Sequence, residues 1–253
     1  MAQLTEFGFE GFEENDEALL AYIREPVYDE PAVQRFLNEG EIRYRREIVE
    51  EQNWNAQWEE NFQPVIVDGF CTIRADFHNI SVNTPMEIVI TPKMSFGTGH
   101  HATTQLMMQL MKDMELSQKK VLDFGTGTGI LAILAEKLGA RQVLAIDNDE
   151  WSFENAMENV KKNDCKNISL QLGSIEDCGN DKFDIILANI NRHILLNTMP
   201  FLYSSLNKGG YLLMSGLLKD DETIIVDKAA EEHFKLLLKC EKNNWIALLF
   251  EKI

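Results

Sequence analysis

The chain is poor in positive charge: 24 Lys and Arg stand against 41 Asp and Glu, a net charge of −17 over 253 residues. That imbalance excludes a nucleic-acid backbone as a direct partner, because phosphates would be repelled, and favours a basic partner such as a Lys-rich protein. Cysteine is sparse. Cys71, Cys165, Cys178 and Cys240 are scattered with no C-x-x-C pair, so neither a zinc site nor a disulfide framework is indicated. No apolar run approaches the ~20 residues that span a bilayer, and the first residues lack a signal-peptide pattern. Repeats and low-complexity tracts are absent too. A soluble cytoplasmic protein with one main domain and a small one is expected.

What is present is concentrated in one stretch. Val121 to Phe124 is a short apolar run of the kind that forms a buried parallel strand. It breaks into Gly125, Gly127 and Gly129, after which Ile130 to Leu138 reads as a helix. Val143 to Ile146 is a second buried strand, ending in Asp147. Strand, glycine turn, helix and strand make one right-handed βαβ unit. Glycines at these positions let a ligand approach the backbone beside a helix N-terminus without Cβ clash. A dinucleotide fingerprint is spaced G-x-G-x-x-G. Here the spacing is G-x-G-x-G, with Asp123 two residues before the first glycine and Asp147 22 residues after it.

The other segments read as follows. Residues 1 to about 50 form a small α+β module: Phe7 to Phe12 is Gly- and Phe-rich, Ala18 to Ile23 suggests a strand, and Glu30 to Glu39 a helix with Pro31 in its first turn. Glu41 to Glu50 alternates like a half-exposed strand. Trp54, Trp58 and Phe62 fall on one helical face, which suits a packing connector rather than base stacking. Strands are expected at Val65 to Val67, Cys71 to Ala75 and Glu87 to Thr91. Pro92 to Thr104 is polar and hinged by Gly97 and Gly99, suiting a lid or wall of a site, ahead of a helix from Gln105 to Met114. His100 and His101 invite a metal or base role, but adjacent histidines usually point apart and no carboxylate stands at ligand spacing, so no metal is expected. Trp151 to Lys162 reads as a helix, and Ile168 to Leu172 as a strand. Phe183 to Ala188 is a further strand, leading into Asn189, whose amide offers a donor and an acceptor or else caps the next helix. Gly209 and Gly210 precede a strand at Tyr211 to Ser215, Asp220 to Glu232 is helical, and Phe234 to Glu241 with Trp245 to Glu251 makes a hairpin turning at Asn243 and Asn244.

The run Asp123 to Gly129 resembles the first motif of class I S-adenosylmethionine-dependent methyltransferases. With the loop Phe96 to Thr104, Ile130 to Ile133 and Ala188-Asn189-Ile190, the chain from about Trp54 onward is similar to the ribosomal protein L-eleven methyltransferase family (PrmA). The resemblance implies a Rossmann-like seven-stranded sheet with a terminal antiparallel hairpin, plus a small N-terminal α+β domain. It implies residues 1–52 as a substrate-recognition domain, 53–63 as a connector helix and 64–253 as the catalytic domain. The implied activity is methyl transfer from S-adenosylmethionine to lysine and N-terminal amines of a basic large-subunit ribosomal protein, by a monomeric, membrane-free enzyme. Cofactor contacts are then expected at Thr104, Gly125, Asp147 and Asn189. The bare backbone of Gly127 and Gly129 would approach the cofactor, Asp123 would lie near its amino acid end, and the two oxygens of Asp147 would take its ribose hydroxyls. Asn189, Phe96 and His101 are the candidates for orienting the amine. Ser174 to Asp177 are candidates for an adenine pocket. His100 and Ala102 depart from the family's usual Thr and Pro. Thr126 and Thr128 stand where Cys and Ser are frequent. The N-terminal module is shorter than is usual, so either recognition is altered or the chain has lost its beginning. A small-molecule methyltransferase and, less well matched in glycine spacing, an NAD-dependent oxidoreductase are the alternatives.

Overall fold

The computed structural model describes residues 4–5, 7–14, 18–48, 62–93 and 95–253. The chain divides into two compact units, Met1–Trp54 and Asn55–Ile253. In the first, β1 (Gly11–Glu14) pairs antiparallel with β2 (Leu19–Tyr22). Helix α1 (Glu30–Glu39) has Pro31 in its first turn and is capped by the Asp29 side chain, which accepts from Ala32 N. Phe9, Val33 and Leu37 form a small core of this unit. Glu41 to Glu50 is not a strand over its described residues, 41–48. Glu41, at φ 51, and Ile42 instead wrap back on α1: Ile42 N donates to Leu37 O and Glu41 N to Asn38 O, closing the helix C-terminus. Beyond that wrap the backbone joins neither β1 nor β2, and an alternating pattern without a partner does not make a strand. The connector expected at 53–63 lies outside the described residues apart from 62 and 63, which are not helical.

The second unit is built on seven strands: β6 (Lys120–Phe124), β7 (Gln142–Asp147), β8 (Ile168–Leu172), β9 (Phe183–Asn189), β10 (Leu206–Leu218), β11 (Phe234–Lys242) and β12 (Trp245–Lys252). They lie in the order β11-β12-β10-β9-β6-β7-β8. The pairs from β10 to β8 are parallel, and β12 runs antiparallel to both of its neighbours, β10 and β11. Successive residues go to opposite faces, and both faces are covered. Val121, Ile185, Leu187 and Leu213 pack on one side; Leu122, Ile186, Ala188, Leu212 and Met214 pack on the other. This is why these strands read as unbroken apolar runs. The first face is covered by α2 (Ala102–Lys112), α3 (Ile130–Lys137) and Val160 of α4 (Glu150–Lys162); the second by α5 (Arg192–Ser205) and α6 (Glu222–Glu231). Asn243 and Asn244, at φ 50 and 66, form the tight hairpin turn between β11 and β12.

Two elements differ most from expectation. Helix α2 starts three residues early because His101 caps it, its side chain accepting from Thr103 N. Strand β10 runs through Gly209 and Gly210, with its register against β9 shifting between Leu206 and Tyr211. A separate sheet of β3 (Val65–Val67), β4 (Cys71–Ala75) and β5 (Met86–Ile90) packs beside α3 and α4. It is fastened by three asparagines spaced one helical turn apart, Asn155 and Asn159 on α4 and Asn163 at its C-cap. Asn163 exchanges hydrogen bonds with Val89 N and O; Asn159 Oδ1 accepts from Thr91 N, and Asn155 Nδ2 donates to Thr91 O. The ladder continues the strand's hydrogen bonding with side chains.

The crossover from β6 to β8 winds one way from β6, and β9 lies on its other side. The crevice at this reversal, outside the carboxyl ends of β6 and β9, is where open α/β sheets take ligands.

Candidate active site

A cavity of about 670 Å³ opens at that reversal, within the range of small-molecule sites. Its floor is the turn after β6. Gly125, Gly127 and Gly129 have φ of 74, 56 and 81, the left-handed region that glycine enters without steric cost. Gly125 and Gly127 line the cavity. Gly129 does not: it is the N-cap of α3 and a Cβ there would press on Ala156 at 3.3 Å, so its bareness serves helix packing.

Asp147 lines the cavity from the end of β7. Its Oδ2 accepts from Gly127 N at 2.8 Å and its Oδ1 from Asp149 N at 3.1 Å, so the carboxylate both props the glycine turn and keeps a lone pair on each oxygen for a ligand. Gly173, Ser174, Ile175 and Glu176 form a neighbouring wall. Asp177 turns away from it to accept from Ser174 N.

Asp123 does not line the cavity. It lies buried on the same face of β6 as Val121, under the start of α3, and its Oδ2 accepts from Thr126 Oγ1 at 2.6 Å and Ala132 N at 3.1 Å. It therefore shapes the glycine turn from below. Burial pushes its carboxyl up to about 7, against the opposing effect of those two hydrogen bonds, and its Oδ1 has no partner. A carboxyl raised this way stabilises the fold while protonated, and that contribution is lost as pH rises from its unfolded value, near 4, through about 7. The stability of the wild type relative to Asp123→Asn should thus fall steadily between pH 4 and pH 7 and level off above. Urea unfolding of both proteins across that range reads it, and a gap that does not change with pH would contradict the assignment.

Asn189 ends β9 and lines the cavity beside Thr104. Its Nδ2 lies 3.5 Å from Thr104 Oγ1, and its Oδ1 is buried without a partner. It does not cap α5; Asn191 does, accepting from Ile194 N. The orphaned acceptor is thus available to a ligand N–H.

The lid segment is held down on the glycine turn. Thr128 N donates to Phe96 O, and Thr128 Oγ1 to Gly97 O at 2.6 Å. Asn159 Nδ2 donates to Thr128 O, connecting this latch to the asparagine ladder. Thr128→Val keeps the shape but orphans the Gly97 carbonyl, so it should destabilise the protein by about 1–2 kcal/mol; an unchanged urea midpoint would remove the latch. His100 and His101 point apart. His100 Nε2 contacts Gln63 O, whereas His101 faces the cavity between Phe96 and Trp245, with ring centroids 5.2 and 4.7 Å away. Trp245 escaped the sequence reading. It opens β12, and because β12 runs antiparallel its first residue arrives where the parallel strands end.

Lys93, Thr91 and Lys162 hold Glu158 down to about 2, and burial pushes the Cys71 thiol up to about 12. Among the described residues no cluster of His, Cys, Asp or Glu could hold a metal ion, and no helix is long and apolar enough to cross a membrane.

Three comparisons bear on this geometry. Residues 10–253 match the family model described as "Ribosomal protein L11 methyltransferase (PrmA)". A relative of that name from Porphyromonas gingivalis is 45% identical over 258 residues, covering 98% of this chain and 88% of the relative. Another from Bacteroides thetaiotaomicron is 41% identical, covering 98% and 91%. Among solved structures, a ribosomal protein L11 methylase from Lactobacillus delbrueckii subsp. bulgaricus superposes with a TM-score of 0.71 at 34% identity, over 76% of this chain and 99% of that one. A methyltransferase from Pyrococcus furiosus, 22% identical with a TM-score of 0.51, shares the fold of the second unit.

Proposed function

This chain belongs to the ribosomal protein L11 methyltransferase family, and we propose that it moves methyl groups from S-adenosylmethionine to the lysine and N-terminal amines of ribosomal protein L11. Its sheet is that of a class I methyltransferase, and it is a methyltransferase. The observation that carries the finer reading is that Asp147 and Asn189, from the strands on either side of β6, line one cavity with the bare turn Gly125–Gly127.

The residues fit the cofactor. A Cβ on Gly125 would meet Ile190 Cγ2 at 2.3 Å, so the turn is held bare and close. Asp147 has lone pairs for two ribose hydroxyls, and Asn189 Oδ1 is an acceptor without a donor. When bound, S-adenosylmethionine supplies a methyl group made electrophilic by its sulfonium.

Asp147 would hold the sugar of that cofactor through charge-assisted hydrogen bonds. Asn189 Oδ1 accepts an N–H of the amine and aims its lone pair, while Thr104 limits the amide's rotation. Phe96 and His101 exclude water at the mouth. No side chain in the cavity is assigned as a strong base: the ammonium gives its proton to water before the neutral amine reaches the buried acceptor of Asn189. The acid-rich chain suits a basic substrate. We assign substrate recognition to residues 1–52 and catalysis to 64–253, with 53–63 joining them.

The test is methyl transfer with isotope-labelled S-adenosylmethionine and purified ribosomal protein L11. Label in L11, located on lysine and N-terminal amines by mass spectrometry, is expected. A folded protein that binds the cofactor yet leaves L11 unlabelled would refute the substrate.

A further inference from the structure

The mouth of the cavity has a chemistry that the cofactor does not use. Phe96, His101 and Trp245 all line it, with His101 in edge contact with both other rings. Phe96 is 52% exposed, so this is a rim open to an incoming group rather than a closed core. No Lys or Arg lines the cavity, whereas Asp147 and Glu176 do. An aromatic rim over an anionic cavity, in a chain of net charge −17, attracts cations and repels phosphate or carboxylate groups. Tryptophan offers the strongest ring face for an alkylammonium. Asn189 Oδ1, buried and without a partner, supplies the acceptor for an N–H.

We propose that Trp245, supported by Phe96, is a specificity-determining residue: it receives the alkylammonium end of the substrate at the mouth of the cavity. The inference rests on the methyltransferase reading. In the reaction it serves, the ammonium first gives its proton to water, and the nitrogen lone pair forms the N–C bond. The C–S bond breaks with its electron pair to sulfur, and the product is again an ammonium carrying one more methyl. The same ring face accepts reactant and product, because each methyl spreads the positive charge over a larger apolar surface.

The test uses the full chain with and without saturating S-adenosylhomocysteine, whose binding is followed separately by calorimetry. Ligand-observed NMR compares choline with its neutral carbon analogue 3,3-dimethylbutan-1-ol. With S-adenosylhomocysteine present, choline should bind at least about fivefold more tightly than the alcohol. Trp245→Phe should keep most of that preference, and Trp245→Leu should abolish it while retaining S-adenosylhomocysteine binding. In methylation of L11, Trp245→Leu should raise KM about fivefold or more, with Trp245→Phe close to wild type. Equal binding of choline and the alcohol, or a preference that survives in Trp245→Leu, would overturn the proposal. Should the wild type prefer choline through Trp245 yet leave L11 unmethylated, the receptor stands and the L11 substrate falls.

Discussion

Gly127→Ala is expected to lose about 2–5 kcal/mol of stability and nearly all methyl transfer. Two costs combine. Residue 127 sits at φ 56, where a side chain is strained by about 1–2 kcal/mol. The new Cβ would also lie 2.4 Å from the carbonyl oxygen of Phe96, a backbone atom that already accepts from Thr128 N. Overpacking of that kind typically costs about 1–3 kcal/mol. Relief requires the lid backbone to lift off the glycine turn, which separates Phe96 from the cavity. The neighbouring Gly125→Ala is a useful contrast: its Cβ meets the Cγ2 methyl of Ile190 at 2.3 Å, a side chain that must turn about χ1, rather than a backbone atom. The account therefore ranks Gly127→Ala below Gly125→Ala in thermal midpoint, with cofactor affinity reduced in both. Equal midpoints would show that the lid is not seated on the turn as described.

Asp147→Ala is expected to weaken S-adenosylmethionine binding by about 2–4 kcal/mol, roughly 30- to 1,000-fold, since each hydrogen bond to a charged group contributes about 1.5–3 kcal/mol. The same change strips Gly127 N and Asp149 N of their acceptors. Asp147→Asn separates the two effects. An amide oxygen can still prop Gly127, but its NH2 cannot accept a hydroxyl, so the fold should recover more than the affinity. Calorimetry gives the affinity and thermal melting the fold. Loss of both in equal measure would mean that Asp147 is only a prop.

Much of the second unit was legible because its strands are buried on both faces. Val121 to Phe124 and Phe183 to Ala188 admit only a central parallel strand, and the Asn243-Asn244 pair announces the hairpin. Legibility failed where the partner is remote in sequence or missing. Asn155, Asn159 and Asn163 look like a polar stripe on a surface helix, and only the fold brings Val89 of β5 and Thr91 just after it, 64 to 74 residues away, against them. Trp245 reaches the cavity through the direction of one antiparallel strand. Glu41 to Ile48 alternates as a strand should but pairs with neither strand of its own unit. Asp123 lies outside the cavity lining for a reason that strand geometry does supply: alternation sends it to the face of Val121, beneath α3, rather than out over the strand tips. Thr104, Gly125, Gly127, Asp147 and Asn189, the residues expected to contact a cofactor, all line one cavity, because each belongs to an element that starts or ends at the same edge of the sheet.

The most direct measurement is the crystal structure of the protein grown with S-adenosylhomocysteine. The ribose hydroxyls should lie on Asp147, with the thioether beyond the bare Gly125–Gly127 turn and facing Asn189. A cleft that stays empty at saturating ligand, or one that takes a dinucleotide's pyrophosphate on the turn instead, would contradict the account at its root.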